Sequence, residues 1–261
     1  MHGERIVDMS FLSMYGTDGC GKSTIAYEIA KVHEPERSLV IGGSTYKEWL
    51  TRGVARDIMG DSHGLDEPAS DPESLTRLYE DIAIICYGHA RRLSEDGHNV
   101  IVDSDPYLKR MIWGTFGVEE SKKSDYLSRF NERMSDFLPD TASPDVIAGI
   151  NVDSRVASVD ILGRISSRDT VSEHDPKTAQ EVENLDSHVR QMWSDISASQ
   201  MGQSALSATY YGRLYHARML QYENSQAPAD ELPQQVRKIA RRIVGTVTSM
   251  SSADRRVATT D

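Results

Sequence analysis

Cysteine is scarce in this sequence: Cys20 and Cys86 are the only two in 261 residues. Two cysteines cannot build a disulfide framework, so free thiols and a cytoplasmic setting are expected. Long apolar runs are missing as well. No stretch approaches the roughly 18 consecutive apolar residues of a membrane helix, which excludes a helical span. Met1-His2-Gly3-Glu4-Arg5 leads into a first apolar run broken by Asp8 and Ser10, so no signal peptide is expected. Basic residues are outnumbered, 29 Lys and Arg against 40 Asp and Glu, for a net charge of −11. That deficit argues against a broad, sequence-blind nucleic-acid surface, which needs clustered Lys and Arg. A local basic cleft for a small phosphorylated ligand is still compatible with it. The eight histidines show no metal-ligand spacing, and no repeat of solenoid type is present.

Short β-like runs alternate with longer helical ones, the pattern of a parallel sheet covered by helices. Strands are expected at 9–15, 38–41, 99–102, 146–152 and 219–222. Helices are expected at 22–32, 45–59, 72–97, over 105–138 with Gly114 and Gly117 as breakers, at 156–165, at 178–199 and over 233–247. Leu75, Leu78, Ile82, Ile85, His89 and Leu93 recur at three and four, one buried helical stripe introduced by Asp71 as N-cap and Pro72 at the first turn. The polar stretch up to Thr178 reads as a mobile lid beginning near 164, and 178–216 as a helical insertion. The expected architecture is α/β: one domain over 1–248, a mostly parallel central sheet flanked by helices with a lid, then a flexible tail at 249–261.

Residues 16–24 read Gly-Thr-Asp-Gly-Cys-Gly-Lys-Ser-Thr and fit G-x-x-x-x-G-K-[ST], the phosphate-binding P-loop. Glycines let consecutive backbone N–H groups turn inward onto a polyphosphate, and the helix opened at Lys22 points its positive end at the same place. Gly16, Asp18, Gly19, Cys20, Gly21, Lys22, Ser23 and Thr24 are therefore the candidate ATP-binding residues. Lys22 would reach the β and γ phosphates, and Ser23 would ligate Mg²⁺. A guanine-selecting Asn-Lys-x-Asp run is absent, which disfavours a GTPase switch.

Val100-Ile101-Val102 ends in Asp103-Ser104-Asp105. A strand-end carboxylate can hold Mg²⁺ or take the acceptor's proton; the plainer role is to cap the next helix. Asp105, just before Pro106, suits the cap, which leaves Asp103 for chemistry. Arg164 and Arg168 stand four apart, so on a helix they share a face and could stabilise the charge of a moving phosphoryl group. The plainer alternative is charge satisfaction at a helix C-terminus. Trp49, Trp113 and Tyr107 could stack on a base, but large aromatics more often pack.

On these residues the chain resembles the thymidylate kinase family of P-loop nucleotide kinases. Gly16–Thr24 is similar to its first motif, Gly42-Gly43-Ser44-Thr45 to its Gly-Gly-Thr, Asn99–Asp103 to the strand before its Asp-Arg-aromatic motif, and 144–168 to its fourth strand, helix and lid. Glu223–Pro228 is similar to its last loop, and the resemblance implies that Asn224 lies against adenine. It also implies a P-loop kinase fold, ATP and Mg²⁺ as cofactors, catalytic roles for Lys22, Asp103, Arg164 and Arg168, and a homodimer. The family holds its acceptor's phosphate with three arginines. Here those places read Leu39-Val40-Ile41, Asp81-Ile-Ala-Ile-Ile-Cys-Tyr87 and Ser104, with Arg77, Arg91, Arg92 and Arg110 nearby. Losing forked donors removes what suits a phosphate dianion. The expected activity is ATP-dependent phosphoryl transfer to a nucleotide, nucleoside or modified-pyrimidine acceptor. A base within DNA is disfavoured by the net charge. The alternatives are a kinase of another metabolite hydroxyl and an ATP-binding regulatory protein without turnover.

Overall fold

A computed structural model of the chain describes residues 10–17, 19–42, 72–115, 119–139, 142–152, 158–167, 176–200, 218–224 and 232–258. Five strands, β1 (Phe11–Tyr15), β2 (Ser38–Ile41), β3 (Asn99–Val102), β4 (Val146–Val152) and β5 (Arg218–Asn224), form one sheet in the order β2-β3-β1-β4-β5. All four pairings are parallel. The helices are α1 (Lys22–Val32), α2 (Pro72–Glu95), α3 (Pro106–Thr115), α4 (Glu120–Phe137), α5 (Ser158–Ser166), α6 (Ala179–Gln200) and α7 (Leu232–Ala258). The protein is thus α/β, as the alternating pattern predicts. The helix expected at 45–59 lies outside the described residues, as does 201–216.

Strand alternation splits the core into two layers. Phe11, Tyr15, Val100, Val102 and Ile147 face α2, α3, α4 and α6. Leu12, Met14, Ile101, Val146, Ala148 and Ile150 face α1, α5 and α7. Strands buried on both faces read as continuous apolar runs, which is why β1, β3 and β4 carry no polar alternation. Gly149 of β4 makes room for α6: a Cβ there would stand 2.8 Å from the Trp193 ring. That ring in turn stacks on Tyr15, the last residue before the phosphate loop (centroids 6.1 Å apart, planes 5° apart).

The register of β1 against β4 is pinned at its start. Asp145 accepts hydrogen bonds from the Ser10 hydroxyl (2.6 Å) and the Phe11 amide (2.9 Å), and its own amide donates to the Phe11 carbonyl (2.9 Å). Arg91 of α2 joins the same carboxylate at 2.9 Å and lies over the Phe11 ring. Just past the carboxyl end of α2, Gly97 at φ +94° closes the helix, with the His98 amide donating to the Leu93 carbonyl at 3.0 Å.

Two elements run past the bounds that the periodicity predicts. β5 extends one residue before and two after the expected 219–222, because it pairs with the whole of β4, from Val146↔Arg218 to Val152↔Asn224. α7 passes the expected stop near Val247 and continues to Ala258, so most of the segment expected as a flexible tail has helical backbone. Residues 246–258 hold no glycine or proline to end it. No described helix is long and apolar enough to cross a membrane.

His89 is half-buried on α2. Burial first, then the charge of Arg92, lowers its imidazole below the ordinary value of 6.5. As pH falls, the unfolded chain protonates here before the folded one, so the fold loses stability as pH drops through the range just below 6.5. His89→Gln is expected to narrow the difference in melting temperature between about pH 7.5 and about pH 5.5. An unchanged difference in paired melts would contradict this.

Candidate functional site

β1 delivers the phosphate loop at the carboxyl end of the sheet, the end where open parallel sheets place their ligands. Gly16 is squeezed between chain segments: a Cβ would lie 2.1 Å from the Ile150 carbonyl oxygen and 2.9 Å from Cys20 Sγ. Gly19 (φ +82°) and Gly21 (φ +90°) adopt left-handed backbone, which only glycine enters without strain. α1 then begins with Gly21 as N-cap, no side-chain capping bond and no acidic residue in its first turn. The first amides of α1 therefore face no acidic side chain of their own first turn.

Lys22 is buried, and its ammonium donates to the carbonyls of Gly16 and Thr17, both at 2.9 Å, across the mouth of the loop. One residue on, the Ser23 hydroxyl stands beside the carboxylate of Asp103 and favours its charged form. Asp103 follows β3, and its amide donates to the Ile41 carbonyl of β2 at 3.1 Å. Burial pushes its carboxyl above the ordinary range. The Ser23 hydroxyl and the charges of Lys22 and Lys109 pull it back without cancelling the effect. A hydroxyl and a carboxylate in contact beside a phosphate loop form a hard-oxygen pair that suits Mg²⁺, which keeps most of its shell for water and phosphate. Among the described residues no cluster of three or more His, Cys, Asp or Glu could hold a metal by itself.

Asp105 takes the capping role expected of it. It is wholly buried, accepts from the Leu108 amide at 2.7 Å, and receives the Tyr87 hydroxyl at 2.8 and 3.0 Å. Its amide donates to the Met14 carbonyl at 2.8 Å, which ties the start of α3 to β1. Burial raises its carboxyl despite these donors and, with the Asp105 charge, raises the Tyr87 phenol as well. Tyr107 packs on Phe130 with centroids 5.0 Å apart and hydrogen-bonds to Asn131, so the plain packing role of that aromatic holds.

α5 crosses over the loop. Ile161 and Ile165 are buried, and Ile161 lies 3.2 Å from where a Gly19 Cβ would be. The same helix brings Arg164 to the Gly19 carbonyl, with Nη1 donating at 3.4 Å. The structure therefore gathers Gly16, Gly19, Cys20, Gly21, Lys22, Ser23, Thr24, Asp103 and Arg164 at one end of the sheet. Asp18 and Arg168 lie outside the described residues. Asn224 ends the edge strand β5, with its backbone in register with Val152.

Three arginines of the helices on this face of the sheet have other partners. Arg91 holds Asp145, Arg110 lies over the Tyr126 ring at 5.2 Å, and Arg133 of α4 pairs with Asp81 and, at 3.5 Å, with Glu80. Lys109 and Tyr87 belong to no motif of the sequence. Lys109 lies one turn inside the helix that follows the strand-end carboxylate, and that placement was its available signal. The Tyr87–Asp105 pair left none.

No family model and no curated protein matches the chain. Among solved structures, that of deoxyadenosine kinase from M. mycoides with bound dCTP is similar at 15% identity and a TM-score of 0.46, covering 89% of this chain and 97% of that one. The same enzyme with products dCMP and a flexible dCDP bound gives 15% and 0.47, and with bound dATP 14% and 0.46, at the same coverage.

Proposed function

We propose that this chain is an ATP-dependent phosphotransferase that moves the γ-phosphoryl group of ATP to an oxygen of a nucleotide, nucleoside or modified-pyrimidine acceptor. The observation that carries the reading is the convergence of Lys22, the glycine loop, the Ser23–Asp103 contact and Arg164 at the carboxyl end of a parallel sheet. Phosphoryl transfer asks little covalent chemistry of a protein; positioning and charge stabilisation do most of it.

In this reading the loop amides and the start of α1 bind the phosphates. Lys22 turns from the Gly16 and Thr17 carbonyls to the β and γ oxygens, and Arg164 turns from the Gly19 carbonyl to the same group. Ser23 and Asp103 would hold Mg²⁺, which neutralises charge on the β and γ oxygens when bound. The bond from the γ phosphorus to the β,γ-bridging oxygen breaks as the bond to the acceptor oxygen forms. Asp103 orients the acceptor and accepts its proton.

The fate of the arginines favours a neutral hydroxyl acceptor over a phosphate dianion. Arg91, Arg110 and Arg133 are engaged with Asp145, Tyr126 and Asp81, and Ser104 replaces the arginine that the thymidylate kinase resemblance would put there. The test is incubation with Mg-ATP and thymidine monophosphate, other nucleoside monophosphates, free nucleosides, sugar and cyclitol alcohols, and DNA carrying hydroxymethylated pyrimidine. ADP and the mass of each acceptor are followed. A mass gain on a nucleoside or hydroxymethyl group is expected. Efficient phosphorylation of thymidine monophosphate would reverse the acceptor reading, and tight ATP binding without transfer would favour the regulatory one.

A further inference from the structure

We propose that Lys109 is a cation of the transfer site, touching the γ-phosphoryl group of ATP from the acceptor side. This rests on the phosphotransferase reading above. Its backbone position is unusually well fixed for an exposed lysine. The Lys109 amide donates to the Asp105 carbonyl at 2.9 Å, and Asp105 is anchored through Met14 to β1 and through its buried carboxylate to Leu108 and Tyr87. The helix turn that carries Lys109 is thus tied to the strand that carries the phosphate loop.

Lys109 is among the residues that line a gap of about 20 Å³ beside that loop, together with Gly16, Thr17 and Ser104. The far wall is apolar, from Ile112 and Leu185. Gly16 and Thr17 are the residues whose carbonyls hold the Lys22 ammonium, so the gap adjoins the part of the loop from which Lys22 would turn to the terminal phosphate. A space of that size suits one water or one oxygen of a phosphoryl group. Lys109 forms no ion pair among the described residues, yet its charge reaches Asp103. An exposed lysine with only a solvation role has no reason to line a gap beside the phosphate loop.

The three cations come from different directions. Lys22 comes from the loop itself, Arg164 from α5 over Gly19, and Lys109 from α3 past Ser104. A metaphosphate-like group carries charge on three equatorial oxygens, and cations placed around it stabilise that charge more than any one can. Lysine serves as a point charge here and needs no forked geometry.

The prediction separates nucleotides by one phosphate and needs no acceptor. Binding of Mg²⁺ with the β,γ-imido analogue of ATP and of Mg-ADP is measured by calorimetry for the parent, Lys109→Met and Lys109→Arg, with melting temperatures as a check on folding. Lys109→Met is expected to weaken the ATP analogue about tenfold and to leave ADP within about twofold, the size of one charge-assisted contact. Lys109→Arg should recover most of the loss. Equal weakening of both nucleotides would assign Lys109 to loop structure and overturn the proposal, as would no weakening of either. A parent protein that binds neither nucleotide would instead remove the phosphotransferase reading, and this inference with it.

Discussion

Lys22→Met is expected to lower phosphoryl transfer by about a thousandfold or more while the protein stays folded. Removing one donor from a charge-stabilising site typically costs about 10²–10³ in rate, and a cation on a transferring phosphoryl group is worth about 10³–10⁵. Lys22 is also the side chain that bridges the loop, through its bonds to Gly16 and Thr17 at 2.9 Å. Methionine keeps the aliphatic stem in its buried slot, which alanine would vacate. The two carbonyls lose their donor, at about 1–3 kcal/mol for a buried unsatisfied group, but they border a gap that can admit water. About 1 kcal/mol corresponds to roughly 2–4 °C in a chain of this size class, so a fall of a few degrees is the expected melt. ADP formation with the best acceptor of the panel, read beside the melting curve, checks both halves. A folded variant with full turnover would sink the phosphate-loop assignment.

The contrast between local and distant signals explains what was legible beforehand. The five strands and most helices were readable because apolar periodicity is a local property, and the loop because its residues are contiguous. Partnerships across the fold were not. Tyr87 meets Asp105 across 18 positions, Arg133 meets Asp81 across 52, and Arg91 meets Asp145 across 54, and no spacing rule links such pairs. The arginine argument suffered most. The sequence shows Arg91 and Arg110 flanking the acceptor elements, and only the fold shows one held by a carboxylate and the other laid on a ring. Arg164 was half-legible: its spacing from Arg168 suggested a shared face, but its contact with Gly19 depends on how α5 crosses the loop. The final helix was misjudged for a different reason. Small polar residues after Val247 read as a tail, yet none of them is a helix breaker.

Asp103→Asn is expected to cost about 10²–10⁴ in transfer rate, the span of a positioned acid or base, without loss of thermal stability. The carboxyl of Asp103 lies above its ordinary range because burial outweighs the help of Ser23, Lys22 and Lys109. A folded-state carboxyl raised above its unfolded value binds protons that the unfolded state has already released. Stability therefore falls as pH rises from the unfolded value of 3.8 through the raised folded one. At neutral pH the charge is thus held at a cost to the fold, and an amide of the same shape removes that cost while still accepting from the Ser23 hydroxyl. Melts of the variant should match or exceed the parent near pH 7, and its advantage should shrink toward about pH 4. A side chain that weakens the fold and is needed for turnover is the expected signature of a reacting group. Nucleotide binding without Mg²⁺ should survive the substitution, because the loop and Lys22 are untouched. A variant that transfers normally but melts well below the parent would make Asp103 a structural residue of the β3 turn, and the acceptor's proton would have to go elsewhere.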